Sequence, residues 1–219
     1  MPKVKLPRSS PSIDMTPMVD LAFLLVTFFM LTTKFRPEEA VSVTIPFSVS
    51  QTKLPDNVTT ISIDSSGRVF YDMDGKDTRI QLIQKISDNY SAQLGGKLSD
   101  QDIMRFSVMG AFGVPYAQLK QYIEANESER KTLNAQTKGI PIDSLPHDEL
   151  ADWVQYGYNL SLSDWYDKKA KNPEMLPPRF AVKADGNAKY EVVKKVIDIC
   201  QKAGIQHFDL ITSMKMKKN

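Results

Sequence analysis

The stretch "SIDMTPMVDLAFLLVTFFMLTTKF" (residues 12–35) decides how the rest of the chain is read. From Met15 to Leu31 only Thr16, Pro17, Asp20 and Thr27 interrupt an apolar run. As a helix it reaches roughly 26 Å at about 1.5 Å per residue, the short end of what crosses a bilayer, and Thr32 and Thr33 extend it. The run is apolar on nearly every side, which argues against a helix of a soluble core. We therefore expect a transmembrane helix over residues 15–33. Lys3, Lys5 and Arg8 precede it, against Lys34 and Arg36 after it, so the positive-inside rule places residues 1–14 in the cytoplasm. A cleaved signal peptide is the rival reading. It fits the basic start, but Leu31-Thr32-Thr33-Lys34 offers no small-x-small cleavage site.

Asp20 is the unusual residue. An early-turn carboxylate gains from the helix macrodipole, and Asp20 lies only about 7 to 8 Å along the axis from Met15. Against that bland role, an Asp at mid-membrane costs about 2.5 to 3.5 kcal/mol on insertion scales, and its side chain is too short to snorkel far. Thr16 and Thr27 stand at i−4 and i+7, within about 40° of Asp20 at 100° per residue. One polar stripe thus runs along an otherwise apolar helix. It cannot face lipid, and one helix has no lumen, so another chain must supply the facing wall. Desolvation raises a carboxyl pKa, so Asp20 can take up a proton in a dry site and release it when a water path opens. A membrane potential supplies about 2.3 kcal/mol per charge per 100 mV to drive such a cycle.

"IDMTPMVDLAFLLVTFFMLTT" resembles the N-terminal signature of the ExbD/TolR family, (N/D)-x-T-P-(hydrophobic)₂-D followed by an apolar helix. Asp14, Thr16, Pro17 and Asp20 match position by position. The resemblance implies an inner-membrane subunit of a proton-motive-force motor, with Asp20 as the proton-carrying residue. It also implies a multi-span ExbB/TolQ-like partner whose ring encloses two copies of this helix, and a TonB-like transducer that receives the work. Protons are then the coupling ion, with no cofactor.

Past the helix, residues 34–57 hold three prolines and no helical period, and read as a linker with a short strand at Val41–Ile45. Val58–Asp64 alternates as a strand, Asp64–Gly67 turns, and Arg68–Asp72 returns as a second strand. Thr78 to Leu94 sets Ile83, Ile86, Tyr90 and Leu94 on one helical face. Arg179–Lys183 reads as a strand and Lys189–Ala203 as a helix carrying Tyr190, Val193, Ile197 and Cys200. Gly204 is its stop, and Gln206–Thr212 is a closing strand. The segment "VKADGNAKYEVVKKVIDICQKAGIQHFDLIT" is similar to the family's C-terminal pattern. The expected fold is a single N-terminal transmembrane helix plus an α+β periplasmic domain over 58–219, ordered β-β-α…β-α-β.

Residues 95–171 form an insert between the two halves. Ser99 and Asp102 have capping-box spacing, and Tyr116–Ala125 and Leu150–Tyr158 have helical periodicity, so the insert reads as mostly helical. Arg105-Phe106…Tyr116 echoes Arg179-Phe180…Tyr190 at a fixed offset, a pattern a duplicated strand–helix unit would leave. Trp153 and Trp165 fall in the insert, where they serve either a local core or an interface.

Composition narrows the function. With 28 basic and 26 acidic residues the net charge is +2, which does not favour nucleic acid as a partner. Cys200 is the single cysteine, and His147 and His207 have no zinc spacing, so no metal site is expected. Ser50-Gln51-Thr52-Lys53 spells S-x-x-K without a following K-T-G or S-D-N, and no phosphate-binding glycine loop is present, so an enzyme is not expected. "NLSLSDWYDKKA" matches the peptidoglycan motif N-x-x-L-S-x-x-R-A only at Asn159, Leu162 and Ser163; the Arg and Ala positions hold Tyr166 and Asp167. The expectation is therefore an ExbD-type motor subunit energising outer-membrane transport. The alternatives are a TolR-type envelope-integrity subunit and a membrane-anchored periplasmic binding module, for which the helix is only an anchor.

Overall fold

The computed structural model describes residues 15–32, 47–48, 58–142, 148–211 and 213–214. The chain divides into two compact units, Met1–Arg36 and Pro37–Asn219.

In the first unit, α1 spans Thr16–Thr32, 17 residues. Pro17 sits in its first turn, where a missing N–H costs no intrahelical bond. No residue of α1 is buried, and every large apolar side chain from Met18 to Leu31 is more than half exposed. The helix falls within the expected 15–33 span. Met15 precedes it, and Thr33 lies outside the described residues. Among the described residues no helix is long and apolar enough to cross a membrane. At about 1.5 Å per residue α1 is roughly 26 Å long, against about 30 Å for the hydrocarbon core of a bilayer.

In the second unit, β1 (Phe47–Ser48) pairs in parallel with β6 (Ser213–Met214). The main sheet contains β2 (Val58–Ile63), β3 (Val69–Met73), β4 (Arg179–Ala184) and β5 (Phe208–Leu210) in the order β3-β2-β4-β5. β2 and β3 form an antiparallel hairpin, while β2–β4 and β4–β5 are parallel. This is the expected β-β-α…β-α-β order, because α2 (Lys76–Asn89) follows the hairpin and α7 (Tyr190–Lys202) joins β4 to β5. The strand expected at Val41–Ile45 lies outside the described residues.

The segment between the halves is helical, as expected: α3 (Asp100–Val108), α4 (Tyr116–Glu124), α5 (Glu127–Gln136) and α6 (Glu149–Lys169). Two of these start on reciprocal capping boxes, Ser99 with Asp102 and Asn126 with Glu129. The duplicated strand–helix unit is not present. Arg105–Val108 belongs to α3, whereas its echo Arg179–Val182 is strand β4. The Ser99 cap and the buried pair Ile103 and Phe106 hold α3 helical whatever the echo in letters.

Trp153 of α6 is fully buried at the centre of the core. Around it lie Phe112 at 4.8 Å, Tyr116 at 5.7 Å, Phe106 at 6.0 Å and Tyr71 at 6.1 Å between ring centroids. The insert therefore shares one hydrophobic cluster with Ile61, Ile63 and Val182 of the sheet. Phe112 also extends the sheet, exchanging backbone hydrogen bonds of 2.8 and 3.0 Å with Tyr71 on the outer edge of β3. Buried Arg79 of α2 locks this corner: its guanidinium donates to Asp72 Oδ1, Met73 O and Gly110 O at 3.0, 3.0 and 3.1 Å.

Helix α7 ends as expected. Gly204, at φ +88°, lets Ile205 N–H reach Cys200 O and Gly204 N–H reach Gln201 O, both at 3.0 Å. Its core face overlaps the expected one at Cys200 and Val193, the latter packed against the core, but not at Tyr190. Val196, Ile199 and Cys200 are buried, while Val193 and Ile197 are half-buried and Tyr190 is 77% exposed. The run Val192-Val193, Val196-Ile197, Ile199-Cys200 contains two adjacent apolar stripes, so periodicity alone could not choose between them.

Candidate functional site

Asp20 lies one turn into α1 and is exposed. Because α1 is helical without a break from Thr16 to Thr32, Thr16, Asp20 and Thr27 fall along one side of it, within about 40° of arc. Thr27 is the one half-buried residue of the helix. Its hydroxyl donates to Phe23 O at 2.9 Å and Leu24 O at 3.0 Å. That donation occupies the hydroxyl proton, so towards any further group Thr27 can act only as an acceptor, on the same side of α1 as Asp20. Pro17 is in the first turn, and Asp14 lies outside the described residues. Apart from Asp20, no residue of α1 is ionisable. The side that carries it is a line of oxygen atoms on an apolar surface.

Among the described residues, the second unit carries no comparable concentration of chemistry. Cys200 is buried and its thiol is pushed up to about 11 by desolvation, so it is a poor nucleophile. Among the described residues no group of His, Cys, Asp and Glu is arranged to hold a metal ion. His207 is exposed, and His147 lies outside the described residues. The tyrosines Tyr90 and Tyr116 stack at 5.0 Å beside Asp152, and burial raises both phenols above their ordinary value, which suits packing rather than proton transfer.

Sequence reasoning did not find the concave surface at the start of β5. An open cavity of about 910 Å³ is lined by Tyr158, Pro178, Arg179, Phe180, His207 and Asp209, among others. Arg179 and Asp209 pair across it at 3.4 Å, and Tyr158 packs edge-on to Phe180 at 5.7 Å. β5 is the last strand in the order, and among the described residues it pairs only with β4. These residues come from α6, β4 and the α7–β5 turn, so no local motif could have announced them.

The chain thus combines a helix bearing one acid on an apolar surface with an α+β domain. Residues 7–138 match the family described as "Biopolymer transport protein ExbD/TolR", and the chain belongs to that family. Its members are membrane-anchored transport motor subunits, not enzymes, and generally work with ExbB/TolQ and TonB-like partners. The match includes α1 and runs through the first part of the insert, ending before β4, α7 and β5. No curated protein and no solved structure matches the chain.

Proposed function

We propose that this chain is an ExbD-type motor subunit whose α1 crosses the inner membrane with residues 1–14 cytoplasmic and residues 58–219 periplasmic. Asp20 relays protons at the interface between α1, a second copy of α1 and an ExbB/TolQ-like ring. The observation that carries this reading is Asp20 itself: the one ionisable group of a 17-residue apolar helix, inside the family-matched segment. Seventeen residues stand at the lower bound for a span, and a short helix is accommodated by bilayer thinning and by flanking residues that reach the interface. Lys34 and Arg36, which follow the helix in the sequence, are side chains of the kind that reach an interface in this way.

The periplasmic domain passes work to a TonB-like transducer. Edge strand β5 and the cavity beside it support this, since an extended segment can add to an open edge by main-chain hydrogen bonds while its side chains fill adjoining pockets. A TolR-type role in envelope integrity shares the proton step and differs only in the partner served.

The test is crosslinking in intact membranes. Cysteines at Phe23 and Thr27, on the Asp20 side, should crosslink to the ring partner or to a second copy more than a cysteine at Leu25, about 140° away from Asp20 at 100° per residue. No crosslink to any partner would refute the reading and leave α1 as a plain anchor.

A further inference from the structure

Helix α6 outruns the core it belongs to. Its last buried residue is Leu160, and none of the residues from Ser161 to Lys169 is buried. That overhang is about 13 Å long at 1.5 Å per residue. With the returning segment 170–178 it gathers Trp165, Tyr166 and Leu176, the last two each 61% exposed. The Trp165 ring is held in place: its Nε1–H donates to Met175 O at 3.0 Å, Tyr166 packs at 4.8 Å, and the Lys169 ammonium lies 4.4 Å from the ring centroid.

The overhang has a definite position in the domain. A small pocket brings Trp165, Met175, Leu176 and Pro178 together with Thr59 and Asp74. Thr59 is the second residue of β2, and the Asp74 carboxylate accepts from the N–H of Val58, its first, at 3.2 Å. The overhang therefore sits at the end of the sheet where the chain enters from the linker behind α1. Its charges balance: Lys168, Lys169 and Lys171 oppose Asp164, Asp167 and Glu174, with Lys168 bonded to Asp164 at 2.7 Å. A neutral tip gives an oppositely charged protein surface little to select. Tryptophan, tyrosine and lysine side chains together suit the headgroup level of a bilayer, where rings take the apolar side and ammonium groups stay in water.

We propose that the α6 tip, through Trp165, Tyr166 and Leu176 with Lys169, rests in the lipid headgroup layer of the membrane that α1 spans. The proposal rests on that span. It gives the insert a role: to seat the linker-entry end of the domain on the periplasmic face of the membrane.

The chain's two tryptophans allow a direct test, since Trp153 is fully buried and serves as an internal reference. The full chain is reconstituted into phosphatidylethanolamine–phosphatidylglycerol vesicles containing a lipid brominated near its headgroup. Wild-type emission should lose the Trp165 share, and Trp165→Phe emission should be unchanged by the bromolipid. Tyr166→Asp with Leu176→Asp should abolish the quenching while near-ultraviolet dichroism stays native. Unquenched wild-type emission from chain that resists alkaline carbonate would overturn the headgroup contact and leave the span standing. Release of the chain by carbonate would overturn the span, and this proposal with it.

Discussion

Gly157→Ala isolates the contact that couples the insert to the sheet. Gly157 is buried in mid-α6, and a Cβ there would run into the Tyr71 hydroxyl, with Tyr71 Cζ at 3.3 Å and Met73 Sδ at 3.9 Å behind it. Tyr71 cannot easily yield. It is fully buried, its backbone is bonded to Phe112 on the sheet edge, and its ring packs against Phe112 at 5.9 Å and Trp153 at 6.1 Å. Two effects compete. Alanine is favoured over glycine in a helix interior by about 1 kcal/mol, whereas overpacking a rigid core costs about 1 to 3 kcal/mol. The clash is with an atom that has nowhere to go, so the upper half of that range applies, and a net destabilisation of about 1 to 2 kcal/mol is expected. Urea unfolding of residues 37–219, followed by Trp153 emission, measures it. Removing the obstacle should remove the penalty: in a Tyr71→Phe background the same Gly157→Ala change should be near neutral, a coupling of at least about 1 kcal/mol. A Gly157→Ala protein as stable as wild type would refute the reasoning, as would a loss that persists undiminished with Tyr71→Phe.

Asp64 makes the β2–β3 turn acid-sensitive. Burial alone would raise its carboxyl, but hydrogen bonds from Ser66 and Arg68 and the Arg68 charge leave it below its ordinary value of 3.8. Its contribution is therefore present above the unfolded pKa and lost as pH falls through the folded one. Asp64→Asn should cost about 1 to 3 kcal/mol at pH 7, and that deficit should shrink below about pH 4 in matched urea titrations. In α1, Thr27→Val should slow proton flux in reconstituted vesicles without stopping it. It removes an acceptor beside the Asp20 stripe and leaves the helix and the carboxyl in place; complete loss of flux would mean that Thr27 is itself part of the relay.

Local chemistry carried most of the fold into the sequence. The alternating strand at Val58, the Asp64–Gly67 turn, the Ser99–Asp102 capping box and the Gly204 stop each depend on a few neighbouring residues and could be read in place. What could not be read depends on distant ones. Phe112 joins the sheet edge because Tyr71 offers it backbone groups, and Arg105-Phe106 is helical because Phe106 buries against Trp153. The core face of α7 is only partly legible, because both of its apolar stripes satisfy helical spacing: Cys200 and Val193 face the core while Tyr190 is exposed. α6 runs past Tyr158 to Lys169, through Ser161 and Ser163, with Lys168–Asp164 and Lys169–Trp165 contacts spaced at i,i+4 along its last turns. The candidate site divides the same way. Asp20 stands out because a charge in an apolar run is costly wherever it occurs, whereas the β5 cavity exists only once α6, β4 and the α7–β5 turn meet.

The central claim is that Asp20 carries a proton, and Asp20→Asn tests it most directly. Asparagine keeps the shape and polarity of the side chain but has no proton to exchange. In cells whose only copy is Asp20→Asn, the chain should be made and inserted at wild-type levels, with energy-dependent transport abolished. Normal transport in those cells would contradict the account and reduce α1 to an anchor.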